Sequence, residues 1–256
     1  MTPIEKAENA LNLRIERIQA GLRESRSESA RQALFQSLVV CAGIGEALRD
    51  YIRTIGHYAQ ERHGELKQTH DTLTAQHADL LKAGNALLER LKATPTDRAI
   101  RKEIELAQKQ METIQKTLRR GANALQREVA PSMGMIDHMA LSIRRLGEAD
   151  DMNALKRVTK EVIAHTCDLY RTQPTLTAKE LIDAAAWEKS ALAEIDHVTD
   201  FYAAYACAGF QVMRALDLMT LAVSPAPPQT TEEATHRANE SVATRLKDIT
   251  ARFTSN

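Results

Sequence analysis

Residues that interrupt helices are scarce in this sequence. Its 256 residues include only 10 glycines and 7 prolines, and alanine, leucine, glutamate, glutamine, lysine and arginine fill much of the rest. These are the residue types that favour long helices, and they are poor material for sheets. The composition therefore predicts an all-α protein without a β-sheet.

Cysteines are also few. Cys41, Cys167 and Cys207 are odd in number, widely spaced and set in apolar helical contexts. This arrangement suggests neither a disulfide framework nor a zinc knuckle, and it favours a reducing cytoplasm. The first residues include acidic side chains where a secretory signal needs a basic segment and an apolar run, so export by that route is not expected.

Neither sign of charge is in excess, because 34 lysines and arginines balance 34 aspartates and glutamates. No global field therefore attracts the chain to nucleic acid or repels it from anionic surfaces. Aromatic side chains that stack on bases are scarce, and nucleic acid is not an expected partner. Residues 201–223 are strongly apolar, but Gln211, Arg214 and Asp217 interrupt them, which predicts a buried helix and not a membrane span.

Capping signals divide the chain into about six helices. A serine, threonine or aspartate followed three residues later by an acid satisfies the free amides at a helix start, as in Thr2 with Glu5 and Thr230 with Glu233. Three of the resulting helices are much longer than is usual in globular proteins. The predicted helices span residues 3–23, 28–92, 95–147, 151–172, 177–223 and 231–253.

A seven-residue repeat of leucines runs along the second predicted helix, and aliphatic residues alternate in steps of four and three along the third. Such spacing is typical of helices that wrap around each other. The turn at Thr94 and Pro95 makes the two helices antiparallel and pairs Leu80 with Met111. The predicted coiled-coil seam consists of Leu66, Leu73, Leu80, Leu87, Ile104, Met111, Leu118 and Leu125.

These patterns predict an elongated helical bundle over residues 1–223, with a long antiparallel coiled-coil hairpin at 64–127 that protrudes as an arm. The fourth helix is too short to cover the whole hairpin, which leaves its upper part free. A proline-rich linker at 224–230 precedes an amphipathic C-terminal helix at 231–256. The apolar stripe of that helix docks on the bundle or captures a partner helix, and it includes Val242, Leu246, Ile249 and Phe253.

Three histidines share the seven-residue spacing. His63, His70 and His77 fall between the leucines, which places them in the predicted seam. Burial lowers the affinity of an imidazole for protons, so one hypothesis is an arm that loosens below about pH 6. The alternative is that the histidines are tolerated polar layers in a thin, wet coiled coil. Neither alternative is a metal site.

Metal-ligand spacing occurs only in incomplete form. Glu194 and His197 lie three residues apart, as the ligands of carboxylate-bridged di-iron bundles do. That chemistry needs a second such pair and further carboxylates. The other match, Glu233 with His236, lies in a polar first turn beyond the proline-rich linker. A metal-binding helical bundle is therefore only a third hypothesis, and no metal ligand is assigned.

Signals of nucleophilic catalysis are weaker still. The chain has no Gly-x-Ser-x-Gly elbow and no glycine-rich phosphate loop after a strand. His165, Cys167 and Asp168 are neighbours on one helix, where residues two and three apart do not converge on one reacting atom. We therefore expect no enzyme activity, assign no catalytic or cofactor-binding residue, and expect no cofactor or small-molecule substrate.

Basic side chains lie along the outward side of the third predicted helix, diluted by Glu105 and Glu112. A solvated face is the simplest interpretation, but such a stripe can also lie on anionic lipid. The residues of this basic face are Lys102, Lys109, Lys116, Arg119, Arg120 and Arg127.

The sequence favours a cytoplasmic, non-enzymatic structural or interaction protein, a coiled-coil scaffold or adaptor that acts through helix–helix contacts. Self-association as a homodimer is expected, and the most apolar segments, 34–48 and 201–223, are expected to form either the dimer interface or an interface within the body. A partner helix from another protein is a second kind of contact.

A peripheral membrane-binding module is the alternative. Three long helices with a projecting hairpin resemble the outline of membrane-shaping BAR modules, although no residue motif carries this resemblance. Such a module would use the basic face and the amphipathic first helix, whose apolar residues are Ile4, Ala7, Leu11, Ile15, Ile18 and Leu22.

Overall fold

The computed structural model describes residues 1–124, 130–172, 182–224 and 226–255. All regular structure in these ranges is α-helical, which confirms the all-α prediction. Eight helices are described: α1 (Pro3–Glu24), α2 (Glu28–Ala93), α3 (Arg98–Ala124), α4 (Ala130–Glu148), α5 (Met152–Thr172), α6 (Ala184–Asp196), α7 (Phe201–Ala222) and α8 (Thr231–Thr254).

The prediction of about six helices was wrong at the predicted helix 177–223. This segment contains two helices, α6 and α7, because the chain leaves the helix after Asp196 and begins a new one after Asp200. The carboxylate of Asp200 accepts a hydrogen bond of 2.9 Å from the amide of Ala203. An aspartate cap starts a helix without any proline or glycine, and this signal was overlooked.

The predicted helix 95–147 also corresponds to two described helices, α3 and α4. Residues 125–129 between them lie outside the described residues. Of the three helices expected to be exceptionally long, α2 has such a length, with 66 residues.

The chain forms two compact units. Residues 1–58 and 133–256 form the first unit, and residues 59–132 form the second. The helix α2 contributes to both, since its residues 28–58 belong to the first unit and its residues 59–93 to the second. The segment predicted as a hairpin, 64–127, falls within the second unit.

The first unit has an apolar core to which α1, α2 and α4–α8 all contribute. Thirteen of the 19 residues of α7 from Ala204 to Ala222 are buried. The helices α2, α7 and α8 meet at Gly43, where an added Cβ atom would lie 2.6 Å from Sδ of Met213 and 3.5 Å from Ile249. The glycine therefore permits this close approach.

This packing distinguishes between the two interfaces expected for the most apolar segments, one between copies and one within the body. Segments 34–48 and 201–223 are largely buried inside the first unit, so they offer little surface to a second copy. The apolar residues of these two segments, on α2 and α7, pack together in one core. A sequence pattern alone does not distinguish an internal apolar contact from an external one.

The two terminal helices are docked in the first unit. In α1, Ala7, Leu11 and Ile18 are buried, so the amphipathic face considered for membrane binding faces the protein core. In α8, Val242 and Ile249 are buried and Leu246 packs against the core, whereas Phe253 is 37% exposed. Of the two alternatives for the C-terminal stripe, the structure shows docking.

The second unit contains the end of α2 and all of α3. A short turn at 94–97 joins the helices, and Asp97 begins α3 by accepting hydrogen bonds of 2.8 Å and 3.2 Å from the amides of Ala99 and Ile100. Farther along, the side-chain amide of Gln115 donates a hydrogen bond of 3.2 Å to Nε2 of His77. Because this contact and the turn connect the same two helices, the helices run antiparallel.

A search of the described helices for a segment both long enough and apolar enough to span a bilayer finds none. The apolar segment 201–223 is thus a buried helix, as its polar residues predicted.

Candidate functional site

The predicted seam residues line the second unit at helical spacing. On α2, Leu66, Leu73, Leu80 and Leu87 are each half-buried. On α3, the half-buried residues are Ile104, Met111, Ile114 and Leu118, and the most buried are Ile100 and Ala107 near the turn. The side chain of Leu125 lies outside the described residues. Two helices alone cannot surround a leucine, so this pair keeps apolar surface accessible.

The three histidines do not share one environment. His63 and His70 are exposed, and only His77, which accepts the hydrogen bond from Gln115, is half-buried. The placement of all three as buried seam layers was therefore wrong. The hypothesis of a pH-sensitive seam required three buried imidazoles, and the side chains of His63 and His70 do not meet this requirement.

The basic face of α3 is exposed over its described part. Lys102, Lys109 and Lys116 follow one line because they are seven residues apart, and Arg119 and Arg120 lie one turn further on. Within the described residues, none of these five forms an ion pair shorter than 4.0 Å. Arg127 lies outside them. The face is a local excess of positive charge on a chain with no net charge.

Three large apolar side chains of the second unit are exposed to solvent. Leu81 and Leu88 on α2 are 45% and 46% exposed, and Leu106 on α3 is 59% exposed. An open groove of about 690 Å³ runs between the two helices and is lined by residues that include Leu80, Ala83, Gln110 and Ile114. Apolar surface of this kind marks an interaction site more often than a catalytic one.

Leu81 and Leu88 belong to a line of residues that sequence reasoning overlooked. Ala78, Leu81, Asn85 and Leu88 are spaced by three, four and three residues, and all four are exposed. We call these four residues the leucine stripe. The signal was present in the sequence, since Leu81 and Leu88 repeat the seven-residue spacing of Leu80 and Leu87 one position later. This second line was not recognised, because the seven-residue spacing had already been assigned to the seam leucines.

The first pair of candidate metal ligands is used differently in the structure. Oε2 of Glu194 accepts a hydrogen bond of 2.8 Å from the amide of Gln211, whose own oxygen accepts one of 2.8 Å from Nε1 of Trp187. His197 is exposed at the C-terminal end of α6. Glu194 therefore anchors a partly buried polar chain between α6 and α7.

The second pair is engaged in local contacts on α8. Glu233 accepts a hydrogen bond of 3.0 Å from the amide of Gln229, and Nε2 of His236 lies 3.3 Å from Glu240. In the part of the chain that the structure describes, no group of three or more histidine, cysteine, aspartate or glutamate side chains is arranged to hold a metal ion.

The thiols have the properties of core residues. Cys41 and Cys167 are buried, and burial raises the pKa of each to about 11. A nucleophilic cysteine needs a pKa below the ordinary value, so neither is activated. His165 does not pair with Cys167 but stacks on His138, with 5.3 Å between the ring centroids. The trio of His165, Cys167 and Asp168 is thus not assembled as a reacting group.

No protein family, characterised protein or solved structure matches this chain.

Proposed function

We propose that this protein is a non-enzymatic scaffold or adaptor that binds other helices through the α2–α3 unit at residues 59–132. The observation that carries the proposal is the exposure of Leu81, Leu88 and Leu106 on this small unit. In the first unit the apolar faces of α1, α7 and α8 pack against one another. The second unit leaves comparable side chains on its surface, where a further helix can bury them.

The physical basis is the incomplete burial of a two-helix pair. Seam residues such as Leu80 and Ile114 are half-buried and border the open groove between α2 and α3. A third helix in this groove would complete a coiled-coil arrangement and remove these side chains from water. Full burial of an exposed leucine contributes about 1.5–3 kcal/mol, and a leucine that is already half-buried gains part of this amount.

A cytoplasmic location is part of this proposal. It is supported by Cys41, Cys167 and Cys207, all three of which are free thiols. An oxidising compartment would favour disulfides in their place.

Site-specific photo-crosslinking in cells tests the proposal. A photo-reactive amino acid at Ala83, which lines the groove, is expected to crosslink to a helical segment that mass spectrometry then identifies. The matched control is Lys82, also exposed but about 100° away around the helix and outside the groove. Equal crosslinking at both positions, or none at Ala83, would contradict the proposal.

An anionic membrane surface is the second candidate function. The observation that favours it is the line of exposed cations at Lys102, Lys109 and Lys116, which have no ion-pair partner within 4.0 Å in the described residues. Each basic residue near an anionic bilayer contributes about 1 kcal/mol of attraction. The buried face of α1 cannot contribute, so this candidate depends on the basic face alone.

Co-sedimentation with vesicles distinguishes this candidate from the first. If it is correct, wild-type protein binds phosphatidylserine-containing vesicles but not phosphatidylcholine vesicles, and the triple variant K102E/K109E/K116E loses this binding. The control variant K6E/K189E/K247E makes the same change in net charge at exposed lysines of α1, α6 and α8. Equal loss in both variants would show only a general charge effect.

A further inference from the structure

The leucine stripe continues in both directions along α2. Thr74 lies one turn before it and Asp71 two turns before it, and Lys92 lies one turn after it, with the spacing of three and four residues unbroken. All of these residues are exposed. The line therefore has an uncharged centre, an acidic end and a basic end.

This line does not face α3. The α2 residues that border α3 include Leu73, His77, Leu80 and Leu87, which are half-buried, whereas the residues one position later are exposed. One position corresponds to about 100° around a helix. The α2 helix thus has two adjacent faces with coiled-coil spacing, one occupied within the second unit and one open.

We propose that the leucine stripe is a self-association surface, on which α2 of one copy packs antiparallel against α2 of a second copy. The inference rests on the proposed function, because it identifies one partner of the same helix-binding unit. In the proposed register Leu88 lies opposite Ala78 of the second copy, and Leu81 lies opposite Asn85 of the second copy. Two-fold symmetry repeats both pairings, so a large side chain always meets a smaller one.

The positions of the charges favour this register over its neighbours. A shift by one heptad in one direction would place Leu88 against Asp71, and a shift in the other would place Leu81 against Lys92. Each shift would bury apolar surface against a charge, which is unfavourable. The proposed register is the one of the three that keeps both leucines against uncharged residues.

The charges at the two ends also favour the antiparallel orientation. Lys92 forms an exposed ion pair of 2.7 Å with Glu89 of its own helix. In the proposed register Lys92 also lies within one turn of Asp71 of the second copy, and this contact occurs twice by symmetry. A parallel pair in register would place Asp71 next to Asp71 and Lys92 next to Lys92. The surface is therefore complementary to itself only when the helices run in opposite directions.

Sedimentation equilibrium of the purified full-length protein, over a concentration series, tests the proposal. We expect a reversible monomer–dimer equilibrium, weak because a contact of about five helical turns is at the small end of specific interfaces. The variant L81K/L88K is expected to weaken dimerisation at least about a hundredfold, since both apolar anchors are lost. The control variant L13K/L141K changes two leucines of similar exposure, 46% and 40%, on α1 and α4 of the first unit, and it should dimerise like the wild type.

Charge reversal tests the orientation. The single variants D71K and K92D should each weaken dimerisation by about fivefold, because the symmetric interface loses two exposed ion pairs. The double variant D71K/K92D restores opposite charges and should recover the wild-type affinity. The variant K92C gives a second readout. It should not form a disulfide between copies, because residue 92 of one copy and residue 92 of the other are about 27 Å apart along antiparallel helices.

Several outcomes would overturn the proposal. These are a protein that stays monomeric at all concentrations, a dimer that persists in L81K/L88K with unchanged circular dichroism, and rapid disulfide formation by K92C. None of them removes the proposed function, which depends on photo-crosslinks from Ala83. A monomer that still gives these crosslinks would mean that the unit binds other helices but not itself.

Discussion

The guanidinium of Arg245 lies 2.8 Å and 3.0 Å from the two carboxylate oxygens of Asp217, which joins α8 to α7. The Asp217 side chain is 6% exposed and that of Arg245 is 11% exposed, so the pair is almost free of water. Asp50 of α2 lies 3.5 Å from the same guanidinium. This contact fixes the register of the C-terminal helix on two other helices of the first unit.

Removal of one side chain of the Arg245–Asp217 ion pair should destabilise the protein. We expect R245M to lower the free energy of unfolding by about 3–5 kcal/mol, because the buried carboxylate of Asp217 loses its partner. Urea denaturation measures this effect. The double variant R245M/D217L should be more stable than R245M, since it removes the second charge as well. R252M, which alters the more exposed pair with Glu46, should cost only about 1 kcal/mol or less.

Arg14 and Arg17 lie on the same helix, α1, but Arg14 is buried and Arg17 is exposed. Nε of Arg14 donates a hydrogen bond of 3.1 Å to the carbonyl of Gly147, and its side chain is only 4% exposed and lies 5.4 Å from the ring of Tyr205. We expect R14M to lower the free energy of unfolding by about 2–4 kcal/mol, because buried carbonyls lose their donor. Arg17 is exposed and lies 3.9 Å from Asp150. In thermal or urea melts R17M should stay within about 0.5 kcal/mol of the wild type, and an equal loss in both variants would contradict the burial argument.

Two glycines of the first unit should respond oppositely to the same change. An added Cβ atom at Gly147 would lie 2.8 Å from the carbonyl carbon of Ala10, so G147A must separate α1 from α4. A cost of about 1–3 kcal/mol is expected. At Gly45 the nearest atom would be 3.9 Å away, and G45A should gain about 0.5–1 kcal/mol from helix propensity. The urea midpoint of each variant shows whether it is more or less stable than the wild type. A stabilised G147A would contradict the close approach of α1 to α4 at Gly147.

His165 should make the protein less stable in mild acid. Burial and the neighbouring His138 lower the pKa of His165, whereas Glu161 and Asp168 oppose this shift. The unfolded chain, in which histidine titrates near 6.5, therefore binds the proton more readily than the folded one. Stability contributed by the neutral ring is present above this pH and is lost as the pH falls towards the folded pKa.

Urea midpoints at about pH 7.5 and about pH 5.5 measure this effect. The difference between the two midpoints should be smaller in H165Q than in the wild type. H197Q, which alters an exposed histidine at the end of α6, should keep the wild-type difference. An unchanged difference in H165Q would show that His165 does not contribute to the acid sensitivity.

Much of the secondary structure could be predicted from short-range signals. The capping box of Thr2 and Glu5 forms as expected, and Thr230 caps α8 through the amide of Glu233. These contacts involve residues three apart, so they depend on little beyond the local sequence. The break before Asp200 is equally local but was overlooked, because the apolar pattern continues across it.

The candidate sites could be predicted less well. The spacing of three between Glu194 and His197 suggested a metal site, yet Glu194 is bound to Gln211 in the structure. The seven-residue spacing of His63, His70 and His77 suggested one environment, yet their exposure differs. Spacing places a residue on a face of its helix, but the neighbouring helix decides whether that face is covered.

By itself, the sequence determined that the chain is helical, where most helices begin, and which residues share a face of a helix. These properties follow from hydrogen bonds and periodicities within a few turns. Only the tertiary structure decided which apolar faces are covered. The apolar stripes on α1 and α8 have the same helical spacing as Leu81 and Leu88, but these stripes are buried against helices distant in sequence, whereas the two leucines are exposed. Burial depends on the combined shape of all the helices that meet at one place, as where Arg14 reaches the carbonyl of Gly147, and no local pattern contains that information.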